Sequence, residues 1–336
     1  MRHVLIPFEI SPGAPAVGAQ VHCLQGLTMG TTWSVQLVAS ADRQLDSLQA
    51  GVQQQLDEVV QQMSTWEPVS HLGRYNRAPA GTWHDVPREF LFVLRQALDV
   101  AQASDGAYDP SAGPLVNLWG FGPEQKQLHR PDAAQLAAVR NCVGWQRVLI
   151  DPISQRVLQP GGAYLDFSAI AKGFGVDQVS RYLQQQGIDN HLVEVGGELR
   201  GMGFKPDCLP WWVALEQPPT RDGSSIAVLS EVVIALHGVS VATSGDYRRY
   251  FEVDAKRYSH TIDPRSGEPI QHGLASVTVI HPDCIAADAL STALNVLGVE
   301  QGMTFAEQRG LPARFVVRSS DGFNEHLSSA FTKMMQ

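Results

Sequence analysis

Val241-Ala-Thr-Ser-Gly-Asp-Tyr-Arg-Arg-Tyr-Phe251, continued by Arg257-Tyr-Ser-His-Thr-Ile-Asp-Pro-Arg-Ser-Gly267, crowds hydroxyls, carboxylates, arginines, aromatics and one histidine around two glycines. Ser244-Gly245-Asp246 and the run from Asp263 to Gly267 carry turn chemistry. Tyr247 to Val253 has the aromatic and β-branched content of a strand. The stretch therefore predicts a hairpin with polar groups at both ends. A purely structural segment would spend more of its positions on apolar packing, so this hairpin is also a candidate site. An ordinary exposed hairpin is the plainer alternative.

Outward from it, the chain arranges itself in blocks. Alternation predicts a strand over Thr31 to Ala39. Leu45, Leu48, Val52, Leu56, Val59, Val60 and Met63 keep helical spacing over residues 42 to 63. A second helix follows Pro87, with Phe90, Leu91, Val93, Leu94, Ala97, Leu98 and Ala101 on its apolar stripe and Gly106 at its end. Pro131 to Val139 reads as a short helix, and Arg147 to Ile150 with Arg156 to Leu158 as a hairpin. Ile170 to Gln186 is a third long helix, closed by Gly187. Strands are expected at His191 to Val195, Trp211 to Glu216, Ile226 to Leu229, Val232 to His237 and Ser276 to His281. A last helix runs from Pro282 to Leu297 and ends at Gly298. Strands and helices do not alternate regularly, which argues against a doubly wound parallel sheet. An α+β fold is expected, with antiparallel sheets and packed helices. Residues 1–20 read as a flexible leader rich in Pro, Gly and Ala. Residues 21–336 are long enough for one large domain or two intimate subdomains.

The chain has 336 residues, 44% of them hydrophobic and 18% charged, within the globular range. Its formal net charge of −9 gives no general attraction for nucleic acid or an anionic membrane. Cys23, Cys142, Cys208 and Cys284 show no C-x-x-C pair or Cys/His ligand spacing, which argues against zinc, iron–sulfur and a disulfide framework. No run of about twenty apolar residues is present to span a membrane. Pro7 and Glu9 interrupt the apolar start of the chain, so it fails as a signal peptide. The expected location is cytoplasmic, or periplasmic if a natural leader is missing.

Three further constellations carry chemistry. Asp288, Ser291 and Thr292 fall at i, i+3 and i+4, on one face of a helix. Three neighbouring oxygens, one of them anionic, make half a site for a hard cation such as Mg²⁺, although many helices place such residues with only water as partner. In Tyr164-Leu-Asp-Phe-Ser-Ala-Ile-Ala-Lys-Gly173, Lys172 falls in the first turn of a helix, where free N–H groups and an ammonium suit phosphate. A surface lysine is the equal alternative, and no Walker A spacing is present. The glycine-rich run from Gly106 to Gly122 carries Tyr108, Trp119 and Phe121, and Trp66 follows Met63-Ser-Thr. These aromatics either accept a flat ring system or pack over a loop. His260, inside the polar stretch, is a candidate general base.

Taken in order, Met29-Gly-Thr-Thr32, Met63-Ser-Thr-Trp66, Gly106-Ala-Tyr-Asp109 through Trp119-Gly-Phe-Gly122, and Asp166 through Lys172-Gly173 resemble the ApbE family of flavin transferases. The match continues through Val195-Gly-Gly197, Val241 through Tyr247, His260-Thr-Ile-Asp-Pro264 with Gly267, and Asp288 through Thr292. Each motif alone is weak; eight in the family's order are specific.

The resemblance implies a T-fold-like mixed architecture and an enzyme that splits FAD. With Mg²⁺, such an enzyme attaches FMN by a phosphoester to a threonine or serine hydroxyl of an acceptor protein and releases AMP. It implies that Met29, Trp66, Ala107, Tyr108, Asp109, Asp166, Lys172 and Ile262 contact the flavin nucleotide. It also implies that Asp288, Thr292, Ser291 and the backbone carbonyl of Ala169 hold Mg²⁺, with His260 as the base. The acceptor would be a redox subunit or flavin-dependent reductase bearing a Thr/Ser motif. Trp66 stands where the family often has tyrosine, which keeps stacking and drops a hydroxyl. Two alternatives share these residues: an FAD pyrophosphatase giving FMN and AMP, and a non-catalytic FAD-binding protein.

Overall fold

Along the strand Thr31–Ala39, Trp33, Val35 and Leu37 are buried on one side and Val38 on the other, so both faces of the sheet must be covered. The computed structural model describes residues 2–10, 15, 17–124, 128, 130–219, 229–247, 249–253, 256–320 and 322–335. The chain divides into two compact units. The first comprises Met1–Glu58, Lys172–Gly245 and Gly273–Gln336; the second comprises Val59–Ala171 and Asp246–His272.

The first unit is built on an eight-stranded sheet whose spatial order is its chain order. Its strands are Gln20–Thr28, Thr31–Ala39, His191–Val195, Glu198–Met202, Val239–Gly245, Leu274–His281, Ala313–Ser319 and Gly322–Leu327, all antiparallel to their neighbours. Two of its connections are fully described two-residue turns. Met29 and Gly30 have φ of 49° and 72°, and Gly196 and Gly197 have φ of 61° and 103°, the positive values such tight hairpins demand. On one face, Leu48, Val52 and Leu56 of the helix Leu45–Met63 and Val176, Val179 and Leu183 of the helix Ala171–Gln185 pack on Trp33, Val35, Leu37, Val193 and Val195. Helical and strand periodicities thus meet in one core, and that burial is the main stabilising term.

The other face is covered by a three-stranded sheet in which Arg2–Leu5 pairs parallel with Glu231–Leu236, itself antiparallel to Trp211–Ala214. The flexible leader expected over residues 1–20 is corrected for Arg2–Leu5, which form a strand. Leu5 is fully buried against this core, and the strand satisfies its backbone groups by pairing. The strand expected over 226–229 has its residues 226–228 outside the described residues.

Two expectations about the opening stretch also change. Ser244 and Gly245 do not form a turn; they complete the strand Val239–Gly245, opposite Val277 and Ser276. Buried Val241 and Ala242 draw the segment into the sheet, and ladder pairing overrides local turn preference. The hairpin lies further on, between Tyr250–Val253 and Lys256–Ser259, in the second unit. At Gly298 the helix breaks as expected: its φ of 73° and ψ of −175° are not helical, and a second helical stretch carries Cys284–Arg309 on from the kink.

The second unit packs the helices His71–Asn76, Arg88–Ala103, Gly113–Leu118 and Ala133–Arg140 with small antiparallel pairings, among them Thr82–His84 and Leu149–Ile150 on either side of Val157–Gln159. One of its cores gathers Leu115, Trp119, Phe121, Phe251, Tyr258 and Ile262. Among the described residues, no helix is long and apolar enough to cross a membrane.

Candidate functional site

In the first unit the helix Cys284–Arg309 brings Asp288, Ser291 and Thr292 to one face, as their spacing predicts. Asp288 and Ser291 are buried and Thr292 is half-buried. The strand Val239–Gly245 adds a hydroxyl that the sequence did not place in this cluster. Ser244 Oγ lies 2.8 Å from Ser291 Oγ and 3.0 Å from Thr292 Oγ1. The amide of Gly173 donates to Asp288 Oδ2 at 2.9 Å.

This donor set is a carboxylate and three hydroxyls, all hard oxygens with one full negative charge. It fits Mg²⁺, which takes few protein ligands and keeps positions for water and phosphate. Nitrogen and sulfur ligands are not gathered: among the described residues, no group of three or more His, Cys, Asp or Glu side chains is placed to hold a metal. Cys284, one turn before Asp288, is fully buried. Burial, reinforced by the nearby carboxylates of Asp177, Asp288 and Glu198, pushes its thiol well above the ordinary range. It remains a protonated packing group.

Lys172 is the second residue of the helix Ala171–Gln185, but its ammonium is not a bare cation. It is ion-paired with Glu198, the first residue of the strand after the Gly196–Gly197 turn. A Cβ on Gly196 would stand 3.3 Å from Lys172 Cδ, so the lysine stem lies against that turn. A phosphate arriving here meets a lysine already paired with an acid. Met29, at the tip of its own turn, reaches the same helix, with its Cε 3.3 Å from where a Cβ on Gly175 would be.

In the second unit, Trp66 is held by local bonds. Its amide donates to Ser64 Oγ, and the Ser64 carbonyl accepts from Ser70 Oγ, which caps His71–Asn76. The residue is 57% exposed. That leaves a flat surface available for stacking. Tyr108 and Ala107 are buried, and Asp109 works as a staple. Its Oδ1 accepts from the amide and hydroxyl of Ser111, both at 2.7 Å, and its Oδ2 accepts from the amide of Trp145 at 3.0 Å. Burial raises the Asp109 carboxyl above its usual range, opposed by these three bonds. Asp166 does similar work with Ser168, whose amide and hydroxyl donate to Asp166 Oδ1 at 2.8 and 2.5 Å. Ala169 lies in the turn that follows.

Trp119 and Phe121, expected as part of a bed for a flat ring, belong to the core instead. Trp119 stacks on Tyr258 at 5.6 Å, its Nε1 donates to the Gly267 carbonyl at 2.9 Å, and Phe121 packs on Phe251. Ile262 joins the same cluster. The glycine-rich run supplies packing and a shaped loop, not a stacking surface at these two positions.

His260 is half-buried, with its ring edge-on to Phe121 at 6.3 Å. The Arg249 carbonyl accepts from both the His260 amide at 3.1 Å and Nδ1 at 2.9 Å. A carbonyl only accepts, so Nδ1 carries the hydrogen. In the neutral ring the lone pair is then on Nε2, which is the tautomer a general base needs. The sequence singled out His260 but gave no sign of its orienting partner, because a backbone carbonyl has no sequence signature.

The ApbE family model matches residues 29–315. An FAD:protein FMN transferase of Vibrio cholerae is 41% identical over 324 residues, covering 95% of this chain and 94% of that relative. One of Haemophilus influenzae is 37% identical over 343 residues, covering 99% and 97%. The crystal structure of the flavinyl transferase ApbE from Pseudomonas stutzeri, in its apo form, superposes with a TM-score of 0.86 at 40% identity, covering 94% of this chain and 97% of the other. The flavin transferase ApbE from Vibrio cholerae gives 0.85 at 39% identity, with 94% and 99% covered.

Proposed function

This chain belongs to the ApbE family and is an FAD:protein FMN transferase, and on that premise we propose that it transfers FMN from FAD to a threonine or serine hydroxyl of an acceptor protein, with Mg²⁺, and releases AMP. The observation that supports this reading is the Arg249 carbonyl on His260 Nδ1, which puts the lone pair of the neutral ring on Nε2. The acceptor hydroxyl gives its proton to Nε2 as its oxygen bonds to the FMN phosphorus. The bond from that phosphorus to the bridging oxygen breaks, and AMP leaves with the electron pair. Hydroxyls are weak nucleophiles at neutral pH, so a positioned base and fixed geometry supply much of the rate.

Asp288, Ser291, Thr292 and Ser244 are the groups of the first unit that would hold Mg²⁺, or orient those that do. When bound, the ion neutralises charge that develops on the phosphate oxygens. Trp66 offers its exposed ring to the isoalloxazine, and the Lys172–Glu198 pair places a cation at the start of its helix. We propose a redox subunit or flavin-dependent reductase with an exposed, extended Thr/Ser segment as the acceptor. A helical or buried hydroxyl could not be lined up with the phosphate.

The test is incubation with FAD, Mg²⁺ and an acceptor domain, read by mass spectrometry of the acceptor and chromatography of released AMP. An FMN-sized addition on threonine, lost in the threonine-to-valine acceptor and not formed from FMN alone, is expected. AMP produced equally without acceptor, with no covalent flavin, would show hydrolysis instead.

A further inference from the structure

Two buried carboxylates, Asp177 and Asp288, tie two helices of the first unit together in a crossed arrangement. On Ala171–Gln185, Gly173 and Asp177 lie one turn apart; on Cys284–Arg309, Cys284 and Asp288 do the same. Each pair therefore shares a helix face. The Gly173 amide donates to Asp288 Oδ2 at 2.9 Å. In the other direction, the amides of Cys284 and Ile285 donate to Asp177 Oδ1 and Oδ2 at 3.1 and 2.9 Å.

Each acid supplies the start of the other helix with an acceptor. The first amides of a helix have no intrahelical partner, and negative charge is favourable there. Asp283, the N-cap residue of Cys284–Arg309, makes no side-chain cap bond, so Asp177 supplies the side-chain acceptor that Asp283 does not. Arg200 holds Asp177 in turn, with Nη1 donating to Asp177 Oδ1 at 2.7 Å and to the Pro282 carbonyl at 2.6 Å. Close approach depends on Gly173. A Cβ there would stand 2.3 Å from the Cys284 carbonyl oxygen and 2.8 Å from Asp288 Cβ.

From this geometry we propose that Asp177 is a positioning residue for Asp288. By pinning the first turn of Cys284–Arg309, it fixes the turn that carries Asp288, whose Oδ2 is engaged by Gly173. The carboxylate then meets a divalent cation already oriented. This rests on Asp288 being a metal ligand, as argued above.

The experiment titrates the full-length protein with Mn²⁺ alone, following the loss of the free-ion electron paramagnetic resonance signal. Wild type, Asp177→Asn and Leu183→Ala are compared, with thermal denaturation of each. Leu183 lies on the core face of the same helix, away from the crossed bonds, and serves as a control for destabilisation alone. Asp177→Asn should weaken Mn²⁺ binding about tenfold or more, the scale for partners that orient a ligand. Leu183→Ala should stay within about twofold at a comparable loss of thermal stability, and saturating Mg²⁺ should restore most turnover to Asp177→Asn. If that variant does not fold, Arg200→Gln replaces it, with a loss of about threefold expected. Unchanged affinity in the titrated variant, or equal weakening in Leu183→Ala, overturns the proposal and leaves the metal assignment standing. A wild type that binds no Mn²⁺ overturns both.

Discussion

Lys172 and Glu198 form an ion pair in which the lysine is partly exposed and the glutamate is buried. The carboxylate is desolvated by the sheet, and the ammonium compensates for that cost. Removing the lysine takes a countercharge from a buried carboxylate, which is worse than removing both groups. Lys172→Met should cost about 2–3 kcal/mol, below the range of about 3–5 kcal/mol for fully buried pairs because the lysine is reached by water. The double variant Lys172→Met/Glu198→Gln should recover more than half of that loss. Urea denaturation midpoints of the two variants check it; a double variant no more stable than the single would refute the pairing argument.

His260→Ala should lower the transfer rate by about 10² to 10⁴-fold while leaving FAD affinity near that of wild type. On the proposed mechanism the imidazole acts on the acceptor proton and not on the dinucleotide. Single-turnover labelling of an acceptor, beside FAD binding measured by fluorescence quenching, separates the two. A parallel loss of affinity and rate would make His260 a nucleotide contact.

Asp288→Ala should abolish Mg²⁺-dependent turnover, because it removes the one full negative charge from the oxygen cluster. It should also destabilise the fold. Asp288 is buried and accepts the Gly173 amide. Losing that acceptor costs about 1–3 kcal/mol. Activity retained with its Mg²⁺ dependence intact would remove Asp288 from the metal site.

His191 gives the fold a pH dependence of its own. Fully buried, it is held neutral, with its pKa lowered from 6.5 to about 4 mainly by burial. Its ring is fixed by Ser180 at 2.8 Å and the Ile188 carbonyl at 2.9 Å. The unfolded chain takes up this proton below about pH 6.5 and the folded chain does not until about pH 4. Stability is therefore full above pH 6.5 and falls as the pH drops through that window, by about 3 kcal/mol at most from this group. His191→Gln should flatten the slope of stability against pH between 4 and 6.5. A slope unchanged in that variant would assign the acid sensitivity elsewhere.

The sequence was most legible where a site is local. Asp288, Ser291 and Thr292 came from helical spacing alone, and the helix is there to stack them. It was least legible where partners are distant in the chain. Ser244 reads as turn chemistry until Val241 and Ala242 carry it into the sheet beside Ser291. Asp177 reads as an ordinary acid on a helix, because nothing near it in sequence says that Cys284 and Ile285 will lie against it. Trp119 and Phe121 illustrate the opposite error. A glycine-rich run with aromatics suits a ligand bed and a folded loop equally well, and only the positions of Phe251 and Tyr258 decide between them.

The strict chain order of the eight-stranded sheet also bears on how the protein folds. Most of its neighbouring strands are close in sequence, but Trp33 pairs with Val195 only after an excursion of about 160 residues. Closing so long a loop costs only about 2 kcal/mol more entropy than closing one of ten residues, since the penalty grows with the logarithm of length. The long segment Val59–Ala171 can therefore be inserted into the meander at small thermodynamic expense. The burden falls on kinetics, because long-range pairing is slow. Pulse-labelled amide exchange during refolding should show the turn at Met29–Gly30 and the hairpin Ala313–Ser319 with Gly322–Leu327 protected first. The seam between Thr31–Ala39 and His191–Val195 should close last. Simultaneous protection across that seam would mean that the sheet forms as a single cooperative event.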